Sequence, residues 1–378
     1  MIVDDSAVIR GLIARILEAD PEIKVVASAA DGLMAIGTLR HQRDGGASAE
    51  VLVLDIEMPR MDGLTAIPKL LEIDPDLKIV MASTLTLQNA EASLKALAAG
   101  ASDYVAKPTS AGAIRGTDEF KQGLILKVKA LAGARRDGEG RSRPRAERDP
   151  STRQKLPPRP GGGPGSSPTT HPAKTPIALR QANTISPEII AIGSSTGGPQ
   201  ALQTLLARLP QNLRVPIIIT QHMPPTFTTI LAQHLARSSG IPAAEAVDGE
   251  SILPGRIYVA PGDFHMLAER RADGIVLRLV KDAPENFCRP AVDPMFRAVA
   301  RTWGARALAI VLTGMGQDGL AGGRALIEAG ATLAAQDEKT SVVWGMPGAV
   351  ATAGLCTAVL PIPELSAWMR RRAGLEAA

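Results

Sequence analysis

Two apolar patterns alternate along most of this chain. Continuous runs such as VLVLD, IVMAS, IIAIG, PIIIT and ALAIV contain almost no polar break. They read as strands buried on both faces, the pattern of parallel sheets. Between them lie stretches with helical spacing. PQALQTLLARL places Leu202, Leu205, Leu206 and Leu209 on one face, with Pro199 suited to a first helical position. DEFKQGLILKVKAL is a second amphipathic stretch. Strand and helix signals in alternation predict an α/β fold of parallel sheets wrapped by helices. No internal repeat interrupts the pattern.

Both patterns stop between residues 129 and 184, where Pro, Gly and Arg concentrate. That composition buries too little apolar surface to offset chain entropy and reads as a disordered, self-repelling linker. The chain of 378 residues therefore divides into two domains, 1–128 and 185–378, each long enough for its own core.

Charge changes this picture little. The pI is 9.2, but residues 129–184 hold twelve Lys/Arg against four Asp/Glu, a net of +8. The whole chain carries +4, so the two domains together sum to −4. With aromatics at 3%, base-stacking surfaces are not expected, and neither is nucleic-acid binding. No signal peptide or membrane-length apolar run is present in the sequence, and Cys288 and Cys356 form no spacing motif. A cytoplasmic, reducing location and no membrane insertion are the expectation.

In the first domain, polar groups stand where apolar runs end. MIVDDS ends in Asp4 and Asp5, and VLVLD ends in Asp55. Carboxylates at the ends of neighbouring parallel strands would converge in the crevice where such sheets bind ligands, and their repulsion calls for a hard cation such as Mg²⁺. IVMAS ends in Ser83 and YVAKP carries Lys107, a hydroxyl and an ammonium suited to phosphoryl oxygens on Asp55.

Together, over residues 1–110, these motifs resemble the receiver domain of two-component response regulators. The resemblance implies a flavodoxin-like fold with a five-stranded parallel sheet, and a phosphoryl group accepted by Asp55 from a histidine kinase. Asp5, Asp55 and the Glu57 carbonyl would hold Mg²⁺ with help from Asp4. Ser83 and Lys107 would read the phosphoryl group, with Tyr104 as the switch aromatic. Only Met1, Ile2 and Val3 precede the acid pair. Receivers normally begin a few residues earlier, so a clipped first strand is expected.

In the second domain, GSSTGG follows an apolar run and precedes a helix signal. It lacks the Lys-Ser/Thr of a phosphate-binding P-loop and the spacing of a dinucleotide fingerprint. It fits G-x-S-x-G centred on Ser195, a turn that exposes a hydroxyl, although a plain turn with a capping serine gives the same letters. A nucleophilic serine needs a base. Of five histidines, His222 ends the run PIIIT and so lies at a strand's carboxyl end, as Ser195 does. Asp318, after ALAIV in the loop GMGQDG, supplies an orienting acid, while Asp263, Asp293 and Asp337 remain open rivals on spacing alone.

GSSTGG, TQHMPP, APGDFHM, RPAVDPMF, LTGMGQDG and VVWGMP resemble, in order, the catalytic domain of the CheB family of chemotaxis protein-glutamate methylesterases, over residues 186–360. By that resemblance this domain is a doubly wound, mostly parallel sheet. Ser195 is the nucleophile, His222 the base and Asp318 the orienting acid, with Thr196 and the Met315 N–H at the oxyanion. The implied activity is hydrolysis of glutamyl γ-methyl esters on methyl-accepting chemoreceptors, with deamidation of receptor glutamines. The phosphodonor would be a CheA-type kinase, the enzyme a monomer, and ester hydrolysis would need no cofactor. The alternative is a response regulator with a non-catalytic or DNA-binding output domain, against which the absent basic stripe and the matching Ser195, His222 and Asp318 weigh.

Overall fold

A computed structural model describes residues 1–45, 48–84, 86–107, 116–142, 177–207, 209–210 and 213–374. The first domain runs β1 (Ile2–Val3), α1 (Ala7–Glu18), β2 (Ser28–Ala29), α2 (Gly32–Asp44), β3 (Val51–Asp55), α3 (Gly63–Ile73), β4 (Lys78–Ser83), α4 (Leu87–Ala98), β5 (Asp103–Ala106) and α5 (Gly116–Ser142). Its five strands are all parallel, in the order β2-β1-β3-β4-β5. The switch in chain direction falls between β1 and β3, the place where open α/β sheets bind ligands. As expected β1 is short, yet it pairs on both sides and both its residues are buried.

α5 departs from the expected domain edge. It runs past residue 128, and Val128, Leu131, Ala132 and Arg135 form one buried stripe at i, i+3, i+4 and i+7. Arg135 donates to Asp74 at 3.0 Å and to the Ala49 carbonyl at 3.1 Å. The basic, glycine-bearing composition hid a helical face that belongs to the receiver. Residues 143–176, most of the expected linker, lie outside the described residues. Residues 177–184 lie along the second domain, where Asn183 donates to the Ala305 and Gly330 carbonyls and Arg180 N–H to the Cys356 carbonyl.

The second domain continues with β6 (Ile189–Ser194), α6 (Gly198–Leu206), β7 (Ile217–Gln221), α7 (Phe227–Ser239), β8 (Ala243–Glu245), β9 (Ile257–Val259), β10 (His265–Arg271), β11 (Gly274–Val280) and α8 (Val292–Trp303). It ends with β12 (Ala307–Val311), α9 (Leu320–Glu328), β13 (Thr332–Gln336), α10 (Met346–Thr352), β14 (Ala358–Leu360) and α11 (Ile362–Arg372). Seven parallel strands form one sheet, β14-β13-β12-β6-β7-β9-β8, and β10 and β11 form a separate antiparallel hairpin. Ile189, Ile190, Ala191 and Ile192 are fully buried, because helices cover both faces of the sheet. Here the chain reverses direction at β6, with β12 on one side and β7 on the other.

The two domains pack together. Leu94, Leu97 and Tyr104 of the receiver share a continuous apolar cluster with Phe227, Leu231 and Leu202 of the second domain. Val342, Val343 and Met315 pack into a second cluster with Val105, Phe120 and Leu124. Among the described residues no helix is long and apolar enough to cross a membrane.

Candidate active site

The turn after β6 is shaped by its glycines. Gly197 has φ +76°, a left-handed conformation that side chains disfavour. A methyl group at Gly198 would collide with Gln221 Oε1. The two serines then differ in exposure. Ser194 is fully buried and donates to Gln221 Oε1 at 2.7 Å. Ser195 is half-buried at the sheet edge, with its N–H on the Thr313 carbonyl.

β6 and β7 pair in parallel up to Ser194 and Gln221, and His222 N–H donates to the Ser194 carbonyl at 3.1 Å. Ser195 and His222 thus follow adjacent strand ends. Asp318 reaches the same edge from the loop after β12, on the far side of β6. Its Oδ2 lies 2.7 Å from His222 Nε2. Among the described residues none of the rivals is bonded to His222, although Asp293 is a direct neighbour of Asp318. Asp263 pairs with Arg289 and Lys281, Asp337 accepts from Thr340, and Asp293 accepts from the N–H groups of Gly319 and Gly322. His265 is held between the Ala283 carbonyl and the Ala291 N–H.

Asp318 is saturated with donors. Besides His222 it accepts from the N–H groups of Val292 (2.6 Å), Asp293 (2.9 Å) and Gly319 (3.0 Å) and from Asn286 Nδ2 (3.0 Å). Val292 and Asp293 open α8, so the positive end of a helix faces this carboxylate. Burial alone would raise its pKa, but the His222 contact and these N–H groups hold it below the usual value. His222 feels the reverse. Burial would lower its pKa, while its contacts with Cys288 and Asp318 push it up to about 10.

Two neighbours of this site carry no signal in the sequence. Cys288 Sγ lies 3.3 Å from His222 Nδ1, and Asn286 bridges Asp318 and Asp293. Neither residue belongs to a spacing motif, and only the folded loop brings them in. Among the described residues no hydrogen bond joins Ser195 Oγ to His222.

The other two residues of the expected oxyanion site meet the receiver. Thr196 Oγ1 donates to Asp103 Oδ2 at 2.6 Å across a buried interface. The same carboxylate oxygen accepts from Lys127 Nζ at 2.6 Å, and Oδ1 accepts from the Tyr104 N–H at 2.7 Å. Met315 packs partly buried against the receiver cluster. Gln200 donates to the Leu97 and Ala101 carbonyls of the receiver, at 3.1 and 2.7 Å. Tyr104, expected as the switch aromatic, stacks on Phe227 of the second domain, with ring centroids 4.5 Å apart and planes 9° from parallel.

At the receiver's own edge, Asp4, Asp5 and Asp55 offer ligand oxygens all within 4.8 Å of one another. Such an all-oxygen set fits a hard divalent cation. Lys107 Nζ lies between two of them, 2.6 Å from Asp4 and 2.7 Å from Asp55. Burial raises the Asp55 pKa, and the Lys107 contact only partly offsets it. Ser83 is buried at the end of β4 beside β3 and donates to the Thr84 carbonyl at 3.2 Å. Glu57 is exposed and, with Asp5, lines a surface cavity at this edge.

Comparison with known proteins agrees with both halves. Residues 190–369 match the family model of the CheB methylesterase, and residues 1–117 that of the response regulator receiver domain. The chain is 56% identical over 373 residues to a protein-glutamate methylesterase/protein-glutamine glutaminase of Azospirillum brasilense, covering 98% of this chain and 91% of that protein. A protein-glutamate methylesterase/protein-glutamine glutaminase 1 of Paramagnetospirillum magneticum is 54% identical, over 99% of this chain and 95% of its own length. The crystal structure of the Thermotoga maritima CheB methylesterase catalytic domain is 39% identical, covering 51% of this chain and 100% of its own, with a TM-score of 0.48. Identity above one half along nearly the whole length of such relatives, with both halves matched in order, means that the chain belongs to the CheB methylesterase family and carries a response regulator receiver domain.

Proposed function

We propose that the chain is a phosphorylation-activated protein-glutamate methylesterase of chemotaxis adaptation, working in the cytoplasm on glutamyl γ-methyl esters of chemoreceptors and deamidating receptor glutamines by the same chemistry. The observation that carries the catalytic part is the His222–Asp318 contact beside Ser195 on the neighbouring strand end. Because Nε2 is bound to Asp318, Nδ1 is the ring nitrogen that takes the proton. Ser195 Oγ attacks the ester carbonyl as its proton passes to Nδ1. Thr196 and the Met315 N–H stabilise the oxyanion, where one donor is typically worth ~10²–10³ in turnover. The C–OCH₃ bond breaks and methanol leaves with the proton from Nδ1. Water then attacks the acyl-serine, giving its proton to His222, and the carboxylate is released as Ser195 is reprotonated. With a glutamine, ammonia is the leaving group.

Regulation follows from the domain contact. Asp103 holds the Thr196 hydroxyl, so an oxyanion donor is engaged by a carboxylate while the domains are closed. Asp103 begins β5, and Lys107, the cation on Asp55, follows the end of the same strand. Phosphorylation of Asp55 by a histidine kinase draws Lys107 to the new oxygens, shifts β5 and loosens Asp103 from Thr196. Asp4, Asp5, Asp55 and the Glu57 carbonyl would hold Mg²⁺, whose charge offsets that of the phosphoryl oxygens, and Ser83 binds one of them.

The test is methanol release from membranes bearing methylated chemoreceptors. Ser195→Ala is expected to lose turnover by about 10⁴-fold or more. Ser194→Ala, whose hydroxyl points into the interior, keeps it. Loss in Ser194→Ala with retention in Ser195→Ala would overturn the assignment.

A further inference from the structure

The mechanism leaves one reactive group at His222 unused. Cys288 Sγ sits 3.3 Å from Nδ1, the nitrogen that has to accept the serine proton. The loop that places it is fixed rather than loosely draped. Asn286 and Phe287, immediately before it, both have positive φ, 51° and 62°, which non-glycine residues hold only where their surroundings impose it. Phe287 is fully exposed, so its own ring does not impose that backbone. Asn286 does. Its Nδ2 donates to Asp318 Oδ1 and Asp293 Oδ2, each at 3.0 Å. Glu285 and Cys288 exchange two backbone hydrogen bonds of 3.1 and 2.9 Å that close the turn. The thiol is thereby anchored to the same carboxylate that orients the imidazole.

We infer that Cys288 is a positioning residue for the base: its sulfur holds the Nδ1 of His222 that Ser195 must reach, and that contact sets how tightly the nitrogen keeps a proton. The inference rests on the Ser195–His222–Asp318 reading above. A neutral thiol donates S–H to Nδ1. Transfer of that proton from sulfur to nitrogen gives a thiolate–imidazolium pair with Nδ1–H donating to sulfur. In either form Nδ1 is engaged, and Ser195 competes with Cys288 for it. The titratable groups facing the ring are Asp318 at Nε2 and Cys288 at Nδ1, with Asp293 joined to Asp318 through Asn286. The cations of the same loop and helix, Arg289 and Arg297, are paired with Asp263 and Glu285. Ser194 and Ser195 of the β6 end bring no charge. With the Asp318 carboxylate on Nε2 and the Cys288 sulfur against Nδ1, the protonated ring is held from both sides, in line with a His222 pKa pushed up to about 10 against the effect of burial.

The experiment is the pH profile of kcat/KM for methanol release by the full chain with a small phosphodonor, for wild type, Cys288→Ser and Cys288→Ala. Serine keeps the size and a donor but does not ionise in this range. Both variants are expected to move the acidic limb down by at least one pH unit, so that each gains about tenfold in kcat/KM on the limb. A second reading does not depend on turnover. Paired with an imidazolium, Cys288 is expected to be alkylated by iodoacetamide near pH 6.5, while Cys356, fully buried and with its thiol pushed up to about 12, is not. In His222→Gln the Cys288 rate should fall by about tenfold or more. An unmoved limb in Cys288→Ser, or a uniform loss of kcat at every pH, overturns the inference and leaves Cys288 a packing residue. If the Cys288 variants do not fold, equal alkylation of wild type and His222→Gln overturns it. Turnover kept by Ser195→Ala but lost in both Cys288 variants would instead overturn the Ser195 reading, with the thiol as nucleophile.

Discussion

Asp55 and Asp318 stand at the carboxyl edges of two parallel sheets, each beside a point where strand order reverses, and their surroundings drive them in opposite directions. Asp318 takes three backbone N–H groups, the Asn286 amide and the His222 ring, and its pKa is lowered despite burial. Asp55 is offered Lys107 and the Ile56 N–H, both on Oδ1, and burial raises its pKa. An acid whose work is to orient a base gains from saturation, because every donor fixes it further. An acid that must form a bond to phosphorus needs an oxygen in reserve. The same architecture supplies an anchored carboxylate at one edge and an under-satisfied one at the other.

The largest effect expected from breaking this contrast comes at the saturated acid. Asp318→Asn presents an amide where the imidazole N–H needs an acceptor, and turnover should fall about 10³–10⁴-fold with the fold intact. A fall of less than tenfold would mean that Asp318 does not orient the base.

Next is the contact that joins the two domains. Asp103→Ala removes a charge-assisted hydrogen bond, typically worth about 1.5–3 kcal/mol, from the closed arrangement. Methanol release without phosphodonor should rise about tenfold or more. The Tyr104–Phe227 stack contributes less, about 0.5–1.5 kcal/mol beyond its buried area. Phe227→Leu should therefore raise the basal rate only a few-fold. If the stack mattered more than the carboxylate, closure would be an apolar packing event rather than capture of Thr196.

The last effect is on stability rather than turnover. A histidine that titrates near 6.5 unfolded and near 10 in the fold binds an extra proton only when folded between those values. The stability it contributes is complete below pH 6.5 and is lost as pH rises through about 10. Thermal melts between pH 7 and 10 should show a decline in Tm that is shallower in Asp318→Asn.

Much of this was legible in the letters. Strands apolar on both faces announced parallel sheets, and the polar residues at their ends marked both edges. Asp318 could not be separated from Asp263, Asp293 and Asp337, because strand ends look alike until their partners are known. The Asp103–Thr196 contact was illegible because it exists only where two separately patterned surfaces meet. Cys288 was invisible as well, since an Asn286 side chain and two positive-φ residues bring it to His222. For α5, the basic composition after residue 128 outweighed the buried stripe formed by Leu131, Ala132 and Arg135.

The most direct measurement is methanol release by wild type and Asp55→Asn, with and without a small phosphodonor, alongside the intact mass of each protein. The account predicts a wild-type rate that climbs as the phosphorylated mass appears, and an Asp55→Asn rate fixed at the wild-type basal value. A wild-type chain that gains the phosphoryl mass and hydrolyses no faster would contradict it, because the receiver would then not be what restrains the site.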